Sequence, residues 1–348
     1  MSETARIIYD KHNTIHLDEF GIEIPVRDTA TRTFEKLVAA HPLLKKTLAD
    51  WHIESVEGEI AREDLLRVHA PEYIERLFSA RLEDEIISTF ELINDEGEYH
   101  RYNPRKARRP LTDLFGLLLR RVAGTWQCCK VALDKGFCFY FGGGMHHAQR
   151  DRGQGFCLLN DIVIAIRKLQ AEKEIATAWV IDVDAHKGDG TAALTAGDGS
   201  VSTLSAHMAR GWPLDGPRVD SSGRPNPSFV PSDLDIPIAE GEEHLYLKKL
   251  KEGLESLGQR PRPDLAIVVS GADPYEKDEL PSAQLLKLSL AQLRERDLLI
   301  YEFLQERNIP RAYLMAGGYG DHAWEVYAQF LEWVLVNRLA SLDRPEKR

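Results

Sequence analysis

The chain has 348 residues, 43% of them hydrophobic, with a formal net charge of -11, enough to bury a large core in one α/β domain spanning residues 1–348. The acidic balance argues against a general nucleic-acid binder, which needs clustered Lys and Arg on a broad face. The amino terminus lacks an apolar stretch of signal-peptide length, and no apolar run approaches the roughly 18 residues needed to span a bilayer, so a soluble, cytoplasmic protein with no membrane partner is expected.

In chain order, short apolar runs predict strands at 5–9, 137–141, 178–182, 201–205, 265–270 and 312–315. Helical spacing predicts helices near 30–47, 61–67, 111–134, 160–172, 242–257, 282–307 and 321–343. This alternation is the pattern of a mainly parallel sheet covered by helices. The helix beginning near Ser282 carries Leu285, Leu288 and Leu293 on one stripe, which should face the sheet. The stretch 213–237, rich in Pro, Ser, Asp and Gly, reads as a long functional loop. The basic run at Arg105, Lys106, Arg108 and Arg109 reads as a solvated loop edge. Four cysteines without C-x-x-C spacing suit a reducing compartment; Cys128 and Cys129 fall inside a predicted helix, and Cys157 reads as a buried structural thiol.

Four predicted strands end in chemically dense turns: GGGMHH after Phe141, DVDAHKGDG after Ile181, GADPYEKDE after Ser270 and AGGYGDH after Met315. Side chains two apart on an extended chain share a face, so Asp182, Asp184 and His186 can converge at the carboxyl end of a sheet, where open α/β sheets bind ligands. Asp184, His186 and Asp273 make a two-carboxylate, one-imidazole set that leaves positions open, as a catalytic zinc site requires. An EF-hand fits poorly, because Gly188 stands one place too late and Ala193 replaces the bidentate Glu. A P-loop fits no better, since the glycines 142–144 are followed by Met145 and His146.

These turns resemble those of the zinc-dependent histone deacetylases of the arginase/deacetylase superfamily, most closely the class IV and bacterial members. The resemblance runs from RIIYD and EDLLRVHAPEYIERL to the final helix, and FGGGMHHAQRDRGQGFC and IDVDAHKGDG are its specific signatures. It implies an eight-stranded, mainly parallel sheet flanked by helices and one zinc ion on Asp184, His186 and Asp273. It also implies that His146 and His147 serve the attacking water and that Tyr319 faces the substrate carbonyl. Zinc acidifies water to near neutrality. His147 is then the expected general base and later acid, with His146 as electrostatic partner. Asp182 would orient His146, and Asp189 would orient His147. The two glycines before Tyr319 would let the backbone turn the phenol into the site. A structural potassium ion is implied near Asp182, Asp184, His186 and Ser205.

Gly155 and Phe156 match the family's tunnel wall, and Trp212 is the expected facing aromatic; together they suit the methylene chain of an acylated lysine. Leu280 stands where polyamine deacetylases carry a glutamate, which favours an acyl-lysine peptide or protein over an acylated small amine. The chain departs from the family pattern at Ala316, where a glycine is usual, and at Pro274, just after a ligand; neither removes a reacting group. A ureohydrolase of the same superfamily would carry further Asp ligands at Gly188 and Tyr275, and both are missing. A catalytically silent acyl-lysine reader is disfavoured by the full set of ligands, histidines and tyrosine. Acyl length and oligomeric state are not written in the sequence.

Overall fold

A computed structural model describes residues 4–342 except 95 and 220–222. Eight strands form one sheet: β1 (Thr4–Ile8), β2 (His52–Ile53), β3 (Gly136–Tyr140), β4 (Ala178–Asp182), β5 (Val201–Met208), β6 (Leu234–Ile238), β7 (Leu265–Ser270) and β8 (Arg311–Met315). Their order is β2-β1-β3-β8-β7-β4-β5-β6, and every pair is parallel. The six strands expected from apolar runs are all present. The two not anticipated are the edges. β2 has only two residues, too few to show a period. β6 lies mostly inside the stretch read as loop, and its Pro237 pairs with His207 at the sheet edge, where the missing N–H costs no ladder bond on the open side.

Central strands are buried on both faces, as parallel sheets between helix layers must be. Phe137, Phe139, Trp179, Ile181, Ala266 and Val268 join the core on one face. Alternate residues Cys138, Tyr140, Ala178, Val180, Ile267 and Val269 join the core on the other. A third apolar cluster, including Phe20, Tyr73, Leu114, Phe115 and Leu158, lies under the segments that lead into the GGGMHH turn. Each fully buried large apolar side chain contributes about 1.5–3 kcal/mol, so the frame holds without help from the polar turns at its carboxyl end.

Helices differ from expectation where local chemistry interrupts the period. The segment 30–47 breaks into Thr29–Ala40 and Pro42–Lys46, because His41 before the proline is extended. The helix expected from Ser282 starts only at Leu290, after a capping box in which Ser289 and Gln292 satisfy one another's backbone N–H groups. Leu285 and Leu288 therefore precede it. Leu288 N donates to Pro274 O at 2.7 Å and Leu288 O accepts from Glu276 N at 2.9 Å, clasping the turn that follows Asp273. The basic run is laced to acidic neighbours, with Lys106–Glu23 at 2.8 Å and Arg108–Asp18 at 2.9 Å. Among the described residues no helix is long and apolar enough to cross a membrane, and all four cysteines are free and buried.

His69 ties the segment after the GGGMHH turn to the start of the helix that follows it. Its Nδ1 lies 2.8 Å from Gln149 O, and its Nε2 accepts from Asn160 N at 3.1 Å, which fixes the neutral tautomer. Burial holds its pKa down at about 4 against an ordinary 6.5. A depressed histidine contributes stability above its unfolded pKa and loses it as pH falls through the folded one. Between pH 6.5 and pH 4 the wild type should therefore lose up to about 3 kcal/mol of unfolding free energy relative to His69→Gln. Urea unfolding of both proteins at pH 7, 5.5 and 4.5 measures this; a gap that does not change with pH would sink it.

Candidate metal centre

The chain leaves β4 towards β5 on one side of the sheet, and leaves β7 towards β8 on the other. The crevice between β4 and β7 is therefore a topological switch point, where α/β sheets open to ligands. Asp182 pairs with Val269 across it, so the DVDAH and GADP turns emerge side by side. His186 Nδ1 lies 3.2 Å from Asp184 Oδ1 and 2.9 Å from Asp273 Oδ2. These three buried side chains present donor atoms within 4.8 Å of one another and could hold a metal ion.

Their remaining oxygens are fixed by backbone. Gly317 N donates to Asp184 Oδ2 at 3.0 Å, and Ala185 N donates to Asp273 Oδ1 at 2.9 Å. Two glycines leave the cradle open: a Cβ at Gly271 would lie 2.6 Å from Asp184 Oδ2, and one at Gly317 would lie 2.5 Å from the same atom and 2.8 Å from Asp273 Oδ2. Burial and the nearby Asp184 lift Asp273 to about 6. Burial opposes a charge on His186, but Asp184 and Asp273 outweigh it and lift the imidazole to about 10. A donor set that binds a proton this strongly is an excess of buried negative charge, and it fits a divalent cation.

The GGGMHH turn sets two imidazoles beside this cluster, 3.9 Å apart between ring centres. His146 Nδ1 lies 2.7 Å from Asp182 Oδ2, and His147 Nδ1 lies 2.8 Å from Asp189 Oδ1. Burial disfavours charge on both, yet Asp182 and Asp184 raise His146 to about 9. For His147, burial and the charge on His146 prevail over Asp189, and its pKa falls to about 4. Gly143 and Gly144 take left-handed φ of +80° and +72°, and a Cβ on Gly143 would strike Thr125 Oγ1 at 2.4 Å. Asp161 anchors this turn, accepting from Gly144 N at 3.0 Å and Met145 N at 2.6 Å.

His146, His147, Gly155, Phe156, Asp184, His186 and Tyr319 line one cavity of about 160 Å³. Phe156 sits at φ +65°, a conformation a bulky residue adopts at a cost of about 1–3 kcal/mol, of the kind that clusters at ligand sites. Two further rings of the cavity wall flank it, Phe90 at 6.0 Å and Tyr319 at 6.3 Å between centres. Trp212, the expected facing aromatic, stands beside Gly155. It packs edge-on against His147 at 4.5 Å and His186 at 5.7 Å, and only a glycine at 155 leaves room for it, since a Cβ there would lie 2.2 Å from Trp212 Cη2. Leu280 departs from the channel reading: it is 4% exposed, packs in the core and is not among the cavity-lining residues. The exposed carboxylate there is its neighbour Glu279, which pairs with Arg27 at 3.7 Å. Ser205 is buried, with Gly188 N 3.4 Å from its Oγ. Ala316 packs against Gly144, whose Cβ would lie 2.6 Å from that of Ala316.

A supporting layer was not anticipated. Asp189 Oδ2 accepts from Gln149 Nε2 at 2.9 Å, Gln154 Nε2 at 2.6 Å and Ser228 Oγ at 2.6 Å. Asp278, lifted to about 8 by burial and Asp273, accepts from Tyr319 N at 2.7 Å and so fixes the Gly-Gly-Tyr turn. Arg296, fully buried and paired with Asp297, donates to Val183 O at 3.1 Å and Gly271 O at 2.7 Å, bracing both ligand turns from beneath. Arg296 and Asp297 end a run of four charged residues, Arg294 to Asp297, that reads in the sequence as a solvated helix face.

Residues 27–334 match the histone deacetylase domain, and the chain belongs to that family. It is 31% identical over 213 residues to histone deacetylase 2 of Arabidopsis thaliana (61% of this chain, 52% of that protein). It is 30% identical over 211 residues to the acetoin utilization protein AcuC of Staphylococcus aureus (59% and 51%), and 32% identical over 180 residues to histone deacetylase B of Dictyostelium discoideum (51% and 40%). The chain thus spans about half the length of these relatives, or less.

Gly317→Ala tests the cradle directly, because its backbone is not left-handed and the three atoms nearest the added methyl all belong to Asp184 and Asp273. The variant should fold, yet bind zinc about tenfold or more weakly by chelator competition, the cost typical of disturbing a ligand's own support. Unchanged affinity would mean that these carboxylates do not hold the metal.

Proposed function

We propose that the protein is a zinc-dependent amidohydrolase that removes acetyl or longer acyl groups from lysine side chains. The observation that carries this reading is the pairing of a three-donor metal cluster with two adjacent imidazoles of opposite proton affinity on one cavity wall. Asp184, His186 and Asp273 would hold the ion. When bound, the cation supplies Lewis acidity, polarising the amide carbonyl and acidifying water.

The chain's own groups divide the rest of the work. His147, neutral at pH 7 and tethered through Nδ1 to Asp189, keeps Nε2 as a proton acceptor, so it takes the proton of the attacking water and returns it to the leaving amine. His146, held protonated by Asp182 and Asp184, contributes positive charge as the carbonyl oxygen becomes anionic. The Tyr319 hydroxyl, its proton retained because burial and nearby Asp273 push its pKa well up, donates to that oxygen. Water's oxygen bonds to the carbonyl carbon, the C–N bond breaks, and a carboxylate and an amine leave. Asp182 and Asp189 orient the two imidazoles, and Gly155 and Phe156 line the approach. Trp212 closes the outer side of the imidazoles.

A structural potassium ion beside Asp182, Asp184, His186 and Ser205 belongs to the same proposal, supported by the burial of those side chains and by family membership. A two-manganese ureohydrolase is disfavoured, because Tyr275 and Gly188 occupy the places of the further ligands and the Tyr275 hydroxyl is engaged with Glu325 at 2.7 Å. An acylated small amine is the second substrate reading. Peptide acyl-lysine is favoured over it because the exposed carboxylates near Tyr319, Glu279 and Asp321, are already paired with Arg27. Placement in the cytoplasm and the one-domain boundary at 1–348 remain parts of this proposal, the former supported by four free, buried thiols.

The purified chain should contain about one zinc ion, and chelation should abolish acetyl-lysine hydrolysis until zinc is restored. Two tightly bound manganese ions with activity on a guanidino substrate would reverse the assignment. Tyr319→Phe should retain zinc and fold while kcat falls by about two orders of magnitude or more, with KM little changed, as for a lost oxyanion donor. Steady-state kinetics with parallel zinc analysis decide it: an intact kcat at full zinc occupancy removes Tyr319 from the mechanism.

A further inference from the structure

The cavity that holds the catalytic groups also holds a cation. Arg121, on the helix Asp113–Lys135, lines the same chamber as His146, Asp184 and Tyr319. Its Nε is buried without a hydrogen-bond partner, and among the described residues no carboxylate forms an ion pair with it. The ionisable groups that act favourably on its charge are Tyr140 and Asp161, and both are engaged elsewhere. Asp161 accepts from Thr125 Oγ1, Gly144 N and Met145 N, and the Tyr140 hydroxyl accepts from Asn13 Nδ2 at 3.1 Å. The guanidinium stays charged in any protein environment, and an unpaired buried charge is costly. Arg27, the other arginine on the wall, faces Glu279 and Asp321, so Arg121 is the cation left for a ligand.

Resting on the amidohydrolase reading, we propose that Arg121 makes the chamber an anion subsite, selecting acyl groups that end in a carboxylate: short dicarboxylic acyl chains such as succinyl or glutaryl. Size supports the class. The chamber's volume of about 160 Å³ is close to that of an engineered cavity of about 150 Å³ that takes benzene. Beyond its amide carbonyl a glutaryl group has three methylenes and a carboxylate, again about six heavy atoms, so its tip can meet the guanidinium in a bidentate pair. The reaction balances as before: water and glutaryl-lysine give glutarate and the free amine, with no redox change.

The test compares acetyl-, butyryl- and glutaryl-lysine peptides of one sequence with the zinc-loaded full chain. For the wild type, kcat/KM on glutaryl-lysine should exceed that on butyryl-lysine by about tenfold or more, the low end for a charge-assisted hydrogen bond. In Arg121→Met the ratio should fall to about one or below, and Arg121→Lys, which keeps the charge, should retain part of the preference. Calorimetric titration with glutarate and with butyrate gives a readout free of turnover: glutarate should bind about tenfold tighter to the wild type, and no tighter to a folded Arg121→Met. Butyryl-lysine hydrolysed as fast as glutaryl-lysine by the wild type would overturn the proposal, as would a ratio unchanged by Arg121→Met. If none of the three peptides is hydrolysed, the amidohydrolase reading fails by itself and the calorimetric comparison decides the anion subsite; equal affinities for the two acids overturn it.

Discussion

Four carboxylates, Asp182, Asp184, Asp189 and Asp273, lie at one end of the sheet, none more than 3% exposed. Burying like charges together is expensive unless each is paired or hydrogen-bonded. Much of the surrounding sequence answers this one constraint. Backbone N–H groups of Asp184, Ala185 and Gly317 satisfy one oxygen each on Asp182, Asp273 and Asp184, and glycines stand wherever a Cβ would push these oxygens apart. The imidazoles of His146 and His186 carry the compensating protons. Even so, Asp273 remains lifted above the usual carboxylate range, so the electrostatics are incomplete without a multivalent cation.

The fold supplies the position, and a buried arginine holds it. Because β4 and β7 send their chains to opposite sides, the turns after them are free to face each other across the crevice. Nothing in the strand pairing alone sets the spacing of those turns. Arg296 does so from below, one guanidinium nitrogen reaching the carbonyls before both Asp184 and Asp273. Leu288 clasps the same GADP turn through Pro274 and Glu276 from the side. The segment that sequence periodicity assigned to a helix is thus spent on bracing a ligand loop.

What could be read from the sequence followed from local chemistry. Central strands show as apolar runs because both faces are buried, and the ligand turn shows because Asp182, Asp184 and His186 are spaced two apart. The edge strands β2 and β6 escape notice, the first for its length and the second because its proline and alternating exposure resemble a loop. Gln149, Gln154 and Ser228 also escape, since their shared partner Asp189 lies 35 or more positions away and no spacing rule links them. Leu280 and Trp212 were placed by correspondence with a family tunnel; packing sends the first into the core and lays the second across the imidazoles. Arg121 gave no signal at all, being one of two adjacent arginines on a helix whose buried face is visible only in three dimensions.

His146 and His147 show why the division of roles needed the structure. They are neighbours in the chain, each with one carboxylate on Nδ1, and composition offers no way to tell them apart. The difference lies in what else those carboxylates do. Asp182 accepts one other hydrogen bond, from Asp184 N, and Asp184 itself stands 3.7 Å from His146 Nε2, so two carboxylates act on His146. The charge on Asp189 is shared among His147, Gln149, Gln154 and Ser228, and hydrogen bonds to the charged form draw its potential away from the imidazole. Once His146 is protonated, its charge further disfavours a proton on His147. In the proposed mechanism the two rings therefore divide the work: His146, raised by Asp182 and Asp184, favours the cation, and His147, lowered by burial and by His146, favours the neutral form that a general base needs.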